Sequence, residues 1–345
     1  MTDVLIVDPA APDAAAIARA AEVLRRGGLV AFPTETVYGL GAHALDRAAV
    51  RRIFDAKGRP ATDPLIVHIA SLDRLAPLVA AIPDAARTLA LRFWPGPLTL
   101  VLARSPAIPD EVTAGLATVA VRVPAHPVAR ALLAAAAIPI AAPSANLFSR
   151  PSPTLAAHVL QDLEGRIDLV IDGGPATVGV ESTVLDLSSG VPTILRPGAV
   201  TRERLLEVLP RVDVSDVVPG SGDPLTSPGL LEKHYSPRAQ LTLYEGDARS
   251  VAARIAHDAH TQHAHGHSVG IVAADEDPFE GDHVVRIGAA HDLATVASRL
   301  YAAFRELDAA GVDVILARGF PAVSGLGVAV ADRMRRAAAG RVVRC

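Results

Sequence analysis

Cysteine is nearly absent from this chain of 345 residues. Its single example, Cys345, excludes an intrachain disulfide and a cysteine-based zinc site. Aromatic residues make up only 3% while apolar residues make up half, so the cores must be packed mainly from Val, Leu, Ile and Ala. No charge-free apolar run reaches the ~18 residues expected of a membrane-spanning helix. The start of the chain also lacks the basic and apolar regions of a signal peptide, so we expect a cytoplasmic protein.

A net positive charge is missing as well. The formal net charge is −4, which excludes an overall positive field that could attract nucleic acid or an anionic membrane. Any anion site must therefore be formed locally. Of the 33 basic residues only Lys57 and Lys233 are lysines. Because lysine offers a compact point charge and arginine a planar fork, these two positions are either functional choices or chance placements.

Common nucleotide-binding and hydrolase motifs are missing. The phosphate-loop motif GxxxxGK[ST] does not occur, and GLGVAV near Gly325 lacks the third glycine and the acidic residue of a dinucleotide fingerprint. The motifs HExxH and GxSxG are absent too. A bound nucleotide would have to be held in another way.

Apolar runs alternate with amphipathic stretches, which predicts an α/β fold. Some connections are too short for crossovers, so we expect a mixed sheet. Strands are predicted at LVAFP, PLIVHIA, LTLVLA, TVAVRVP, IPIAAP, DLVIDG and STVLDL. Helices are predicted at 12–26, 46–56, 84–93, 126–137, 154–163 and 201–208.

A stretch rich in Pro, Gly, Ser and Asp interrupts this pattern and predicts a linker at 213–238. We therefore expect one domain at 1–212 and a smaller α/β domain at 239–345, with a long helix at 291–310. The histidine-rich stretch at 257–267 is predicted to be an exposed loop. No carboxylate or cysteine cluster accompanies it, so we expect no metal site there.

Polar residues collect at the ends of the predicted strands, where α/β proteins usually bind ligands. Four clusters are evident, each of which can also be an ordinary loop or helix end: Thr34, Glu35, Thr36 and Tyr38 with Gly39 and Gly41; Lys57 and Arg59; Ser144 and Asn146; Glu181, Ser182 and Thr183 with Arg196. The two glycines are expected to let backbone amides approach a ligand. No carboxylate dyad or nucleophile–base pair is evident, which favours orienting reactants over covalent catalysis.

Two charged or titratable residues interrupt apolar strands. His68 lies within PLIVHIA, and a buried imidazole needs partners for both ring nitrogens. Arg122 lies within TVAVRVP, and a buried guanidinium must be paired with an anion. That anion is either a ligand carboxylate or phosphate, or a structural carboxylate such as Asp172.

Nine segments in order resemble the YrdC-domain family of threonylcarbamoyl-AMP synthases over residues 12–208: PTETVYGLG, KGRP, PLIVHI, WPGPLTLVL, VAVRVP, PSAN, RPSPT, VESTVLDL and LRPGA. The linker SPGLLEKHYSP and the small domain resemble the long members of that family. The resemblance implies an open twisted mixed sheet with a concave cationic cavity, and a smaller Rossmann-like domain. It also implies a nucleotidyltransferase that uses L-threonine, bicarbonate, ATP and Mg²⁺ to make threonylcarbamoyl-AMP for tRNA threonylcarbamoyladenosine.

The same resemblance implies two groups of site residues. Threonine contacts are implied at Thr36, His68, Arg122, Ala142 and Ser182. The ATP and bicarbonate side is implied at Lys57, Arg59, Asp63, Thr118, Ser144, Asn146, Ser152, Arg196, His234 and Tyr235, with Lys57 and Arg59 as catalytic cations and no metal ligand. His234 and Tyr235, beside Lys233, are expected to form a lid. Asp63 stands where the family often has Asn, which would alter an ATP contact there.

Two other functions stay open. A concave cationic surface could serve a noncatalytic RNA-binding factor, although the negative net charge and few aromatic residues disfavour it. Related domains occur in hydrogenase-maturation proteins, which use carbamoyl phosphate but carry acylphosphatase and zinc-finger modules that are missing here. For a synthase we expect the tRNA threonylcarbamoyl transferase machinery as downstream partner, without stable nucleic-acid or membrane binding.

Overall fold

The computed structural model describes residues 1–215, 234–281 and 283–345. The chain divides into two compact units, the first formed by Met1–Phe148 with Ser152–Leu230 and the second by Ser149–Pro151 with Leu231–Cys345. The domain limits and the linker at 213–238 stay predictions. Residues 216–233 of that linker, Lys233 among them, lie outside the described residues.

The described part of the first unit contains a sheet of eleven strands. Its strands are β1 (Asp3–Ile6), β2 (Val30–Phe32), β3 (Gly39–His43), β4 (Ile66–His68), β5 (Leu98–Ala103), β6 (Thr118–Arg122), β7 (Ile140–Ala141), β8 (Leu169–Asp172), β9 (Thr183–Asp186), β10 (Thr193–Arg196) and β11 (Asp213–Val214). Their order is β1-β8-β2-β3-β7-β4-β6-β5-β9-β10-β11. Strand β6 pairs in parallel with β4 and antiparallel with β5, so the predicted mixed sheet is confirmed.

The helices of the first unit are α1 (Ala14–Arg25), α2 (Arg47–Lys57), α3 (Asp84–Phe93), α4 (Asp110–Thr113), α5 (Pro127–Ala136), α6 (Ala156–Leu163) and α7 (Arg202–Leu206). Local capping explains why the longer ones lie close to their predicted positions. The side chain of Asp13 accepts the amide of Ala16, and Asp46 caps α2 in the same way. Gly58 then ends α2 in the left-handed conformation, at φ 63°.

Helices cover both faces of this sheet. Val30 and Phe32 of β2 pack in one apolar cluster with Leu24 of α1. Ala31, between them, packs in a second cluster with Ile53 of α2. Because successive strand residues point to opposite faces, a short apolar strand of this kind is buried on both sides.

The second unit is a separate parallel α/β sheet. Its strands are β12 (Gln240–Glu245), β13 (Val269–Ala273), β14 (Val284–Arg286), β15 (Val314–Arg318) and β16 (Val342–Arg344), in the order β14-β13-β15-β12-β16. Its helices are α8 (Ala248–Ala264), α9 (Leu293–Ala310) and α10 (Leu326–Ala338). The paired neighbours all run parallel. Helix α9 closely matches the prediction, whereas α10 and β16 were not predicted.

Two predicted loops are regular structure. Gly39 and Gly41 lie in strand β3, where a Cβ on Gly41 would come within 2.8 Å of Ile140 and 2.9 Å of Phe32. The prediction that Gly41 lets a backbone amide approach a ligand is therefore wrong, because the side chains of Ile140 and Phe32 occupy the space beside its Cα. The histidine-rich stretch is also helical as far as Ala264 rather than a loop.

Helix α8 exposes all three of its histidines, His257, His260 and His263, to solvent. Among the residues that the structure describes, no group of three or more His, Cys, Asp or Glu side chains is arranged to hold a metal ion. The helices in the described ranges also include none that is long and apolar enough to cross a membrane.

Candidate active site

Arg122 lies buried at the end of β6, where its guanidinium holds three neighbours. Nε donates to the carbonyl of Gly96 at 3.1 Å, and Nη1 donates to Oγ1 of Thr36 at 2.9 Å. Nη2 lies 2.6 Å from Oε1 of Glu35. The structural anion is therefore Glu35 and not Asp172, whose carboxylate accepts the amide of Gly174 instead.

Glu35 and Thr36 are themselves held by the turn that follows β2. The other carboxylate oxygen of Glu35 accepts the amide of Ala125 at 3.0 Å. The hydroxyls of Thr34 and Thr36 lie 2.8 Å apart, and Thr34 donates to the carbonyl of Val37. This turn thus presents a threonine hydroxyl to Arg122 in a defined position.

His68 lies beside Arg122 on the neighbouring parallel strand, in direct register with it. Burial, together with the smaller effect of the charge of Arg122, lowers the pKa of His68 from 6.5 to about 3. The imidazole is therefore neutral near pH 7. Its Nδ1 is buried and has no hydrogen-bond partner among the described residues, so this atom is available to form a hydrogen bond with a ligand.

Ala142 follows strand β7 and completes this group. Its amide donates to the carbonyl of Ile66 at 2.9 Å, which places the main chain of Ala142 beside β4 two residues before His68. The structure thus brings together Thr36, His68, Arg122 and Ala142 of the predicted threonine contacts. Ser182 joins a different set of contacts, described below.

Lys57 ends helix α2 with its side chain buried. The Nζ atom donates to the carbonyls of Ser144 at 2.6 Å and Asn146 at 2.5 Å. The backbone carbonyl of Lys57 also accepts the amide of Phe148 at 2.9 Å. Lys57 therefore holds the loop that carries Ser144 and Asn146 by both its side chain and its backbone.

Arg59 and Asp63 form a buried ion pair, with Nη2 and Oδ1 separated by 2.8 Å. Arg59 also donates to the carbonyls of Asp63 and Pro64. Burial raises the pKa of Asp63 above its ordinary value. The rise is opposed by three cations whose charges act on this carboxylate, namely Arg59, Lys57 and Arg196. These three cations therefore form one electrostatic cluster around Asp63.

Arg196 ends strand β10 and contacts Ser182 through several atoms. Nε and Nη2 lie 3.2 and 3.1 Å from the carbonyl of Ser182, and Nη2 lies 3.2 Å from its hydroxyl. The Ser182 hydroxyl also lies 2.8 Å from that of Thr99. Ser182, which is predicted to contact threonine, therefore forms hydrogen bonds with Arg196, which is predicted to contact the nucleotide.

The other predicted nucleotide contacts take separate places in the first unit. Ser152 is buried and donates to Oε1 of Glu181 at 2.5 Å, a serine–carboxylate contact that the sequence did not reveal. The side-chain amide of Asn146 donates to the carbonyl of Leu147 at 2.7 Å. Thr118 lines a small cavity beside Pro64, which in turn accepts from Arg59.

His234 and Tyr235 belong to the second unit. Their rings meet edge to face at 4.0 Å, and Tyr235 also packs against Tyr301 at 5.5 Å. Arg333 lies over the Tyr235 ring at 5.4 Å from its centre. Tyr235 adopts a positive φ of 60°. The role of these two residues as a lid stays a prediction.

Sequence reasoning missed the ion pair of Glu35 with Arg122 and the contact of Thr99 with Ser182. A usable signal existed for Thr99, which is the one hydroxyl within the apolar run LTLVLA. A buried hydroxyl needs a hydrogen-bond partner, so its presence there points to a polar neighbour. The identity of that neighbour depends on which strand lies beside β5.

The chain is similar to known proteins over most of its length. A family model described as Telomere recombination matches residues 22–198, and a model of the C-terminal domain of threonylcarbamoyl-AMP synthase matches residues 200–339. Threonylcarbamoyl-AMP synthase of Bacillus subtilis is 46% identical over 331 residues, covering 95% of this chain and 94% of that protein. The enzyme of the same name from Pyrococcus abyssi is 46% identical over 326 residues, covering 94% of each.

A solved structure extends this similarity to the fold. The structure of P. abyssi Sua5 complexed with L-threonine matches with a TM-score of 0.95 at 44% identity, covering 100% of both chains. A lower similarity, with a TM-score of 0.51 and 26% identity, relates 57% of this chain to Escherichia coli YciO.

Proposed function

The chain belongs to the threonylcarbamoyl-AMP synthase family, whose reaction is a nucleotidyl transfer from ATP, and we propose how its residues carry out that reaction. The proposed substrates are L-threonine, bicarbonate and ATP, and the products are threonylcarbamoyl-AMP and pyrophosphate. The contact between Ser182 and Arg196 carries the proposal, because it joins the residues assigned to threonine with those assigned to the nucleotide.

In this proposal, Arg122 binds the carboxylate of threonine. Its guanidinium is already oriented by Gly96, Thr36 and Glu35, so little freedom is lost on binding. The neutral imidazole of His68 offers its unpaired Nδ1 to the same substrate. Main-chain groups at Ala142 complete this side of the site.

The chemistry then needs orientation and charge stabilisation. The amine nitrogen of threonine attacks the carbon of bicarbonate and water leaves, which gives a carbamate. A carbamate oxygen attacks the α-phosphorus of ATP, and the bond from that phosphorus to the bridging oxygen breaks as pyrophosphate leaves. Lys57, Arg59 and Arg196 offset the negative charge that develops there. Thr118, Ser144, Asn146 and Ser152 line the nucleotide side in this assignment.

Magnesium would supply further charge neutralisation at the phosphates. The carboxylate beside the cation cluster, Asp63, is engaged by Arg59 at 2.8 Å. The residues therefore fit an ion whose ligands come from phosphate oxygens and water, which is how Mg²⁺ usually accompanies nucleotides. We propose no direct protein ligand.

The alternatives are less favoured. Relatives at 46% identity over nearly the whole chain are named threonylcarbamoyl-AMP synthases, which disfavours a noncatalytic RNA-binding factor and a carbamoyl-phosphate transferase. We propose that the product passes to the tRNA threonylcarbamoyl transferase machinery and that this chain forms no stable complex with nucleic acid.

The test is pyrophosphate release from ATP and Mg²⁺, measured with labelled threonine and with bicarbonate present or removed. We expect release only when threonine and bicarbonate are both present, together with a labelled threonyl-nucleotide product. The variant Arg196→Gln should lose at least about 100-fold in rate. Arg130→Gln removes the same charge from an exposed position on α5 and should retain the rate. Pyrophosphate release that ignores threonine would contradict the proposed function.

A further inference from the structure

Thr99 is a fully buried residue of strand β5 whose neighbours along the strand are apolar. Strand β5 runs parallel to β9, which begins one residue after Ser182. The Thr99 hydroxyl lies 2.8 Å from the Ser182 hydroxyl, and either oxygen could be the donor on distance alone. The surrounding contacts decide the direction.

With substrate bound at Ser182, Thr99 donates its proton to Ser182. Among the described residues, Ser182 is the only hydrogen-bond partner of the Thr99 hydroxyl. If Ser182 donated instead, the proton of Thr99 would be buried without an acceptor inside the sheet, at a cost of about 1–3 kcal/mol that binding of a substrate does not relieve. With Thr99 as the donor, the proton without an acceptor in the protein belongs to Ser182, which contacts Arg196 and is assigned to the substrate site, so a bound substrate can accept it.

Ser182 therefore accepts two hydrogen bonds. The second comes from Arg196, whose guanidinium can only donate and lies 3.2 Å from the Ser182 oxygen. With both acceptor positions of that oxygen used, the proton of Ser182 remains to be donated. No acceptor for it exists among the described residues, although Ser182 is almost fully buried.

We propose that Thr99 is a positioning residue that holds the Ser182 hydroxyl as a donor to an oxygen of the threonine carbamate. This inference rests on the proposed function. The acceptor should be anionic, because Arg196 contacts the same hydroxyl and its positive charge favours a negative oxygen there. The carbamate forms only after threonine is bound, so this bond stabilises the later state and not the initial complex.

The test is steady-state kinetics of Thr99→Val, which removes the hydroxyl and keeps the branched shape. We expect kcat to fall about tenfold, with the KM for threonine changed less than twofold. Thr99→Ser restores a hydroxyl and should recover most of kcat. A thermal unfolding midpoint close to that of the wild type would show that Thr99→Val folds.

Introducing Thr99→Val into the Ser182→Ala variant separates an effect of Thr99 on the Ser182 hydroxyl from a general effect on packing. Because Thr99 acts through Ser182, Thr99→Val should cause no further loss of kcat there. A further tenfold loss, or wild-type kcat in the single variant, would overturn the inference while leaving the proposed function intact. A folded wild-type protein without threonine-dependent turnover would overturn both.

Discussion

The carboxylate of Glu35 lies 2.6 Å from the guanidinium of Arg122, although 86 other residues separate them along the chain. Both side chains are almost completely buried. Glu35 neutralises Arg122, to which the threonine carboxylate is proposed to bind. In that proposal the substrate and Glu35 contact the same guanidinium. Glu35 therefore keeps Arg122 paired while the site is empty.

Replacing Glu35 by Gln should make folding stability depend on threonine. Without substrate, the variant leaves Arg122 charged and unpaired, which should lower the free energy of unfolding by about 3 kcal/mol. Saturating threonine supplies a replacement anion and should recover a large part of that loss. Urea unfolding with and without threonine measures both effects, and an equal loss in the two conditions would contradict the shared use of Arg122.

Asp63→Asn should strengthen ATP binding. The carboxylate pairs with Arg59 and lies among the charges of Arg59, Lys57 and Arg196, so its replacement by a neutral amide leaves more positive charge for the phosphates. We expect the Kd for ATP with Mg²⁺ to fall about tenfold, and less at high salt because the charges are screened. Isothermal titration calorimetry at two salt concentrations tests this. Weaker binding by the folded variant would show that Asp63 contacts the nucleotide favourably.

Lys57→Met should destabilise the loop around Ser144 and Asn146. The substitution keeps an unbranched side chain but leaves two carbonyl oxygens without their ammonium donor. The free energy of unfolding should fall by about 2–4 kcal/mol. Arg51→Met, at an exposed position of the same helix, should cost less than about 1 kcal/mol. Equal losses in the two variants would argue against this function of Lys57.

His68 should make the protein less stable as the pH falls. Its pKa is lowered to about 3, so the folded protein keeps the imidazole neutral while the unfolded chain takes up a proton below pH 6.5. The free energy of unfolding thus loses about 1.4 kcal/mol per pH unit between these limits. From pH 6.5 to 5, the wild type should lose about 2 kcal/mol more than His68→Gln. Identical pH dependence would show that His68 does not stay neutral in the fold.

Helix positions followed from the sequence wherever local chemistry decides them. Asp46 caps α2 and Gly58 ends it, and both residues act within one turn of the helix. Strand β3 could not be predicted in this way, because its two glycines are typical of a loop. Only the positions of Ile140, distant in sequence, and of Phe32, on the paired strand β2, show that Gly41 provides space for packing.

The sequence by itself determined which residue types the site must use. The guanidinium of Arg122, in an apolar strand, required an anion, and the hydroxyl of Thr99, in another apolar strand, required a polar partner. Burying either group without a partner costs free energy in any fold. Which partners they found was decided by the tertiary structure. The turn after β2 sets Glu35 against Arg122, and the pairing of β5 with β9 sets Thr99 against Ser182, so both contacts depend on how the whole sheet assembles.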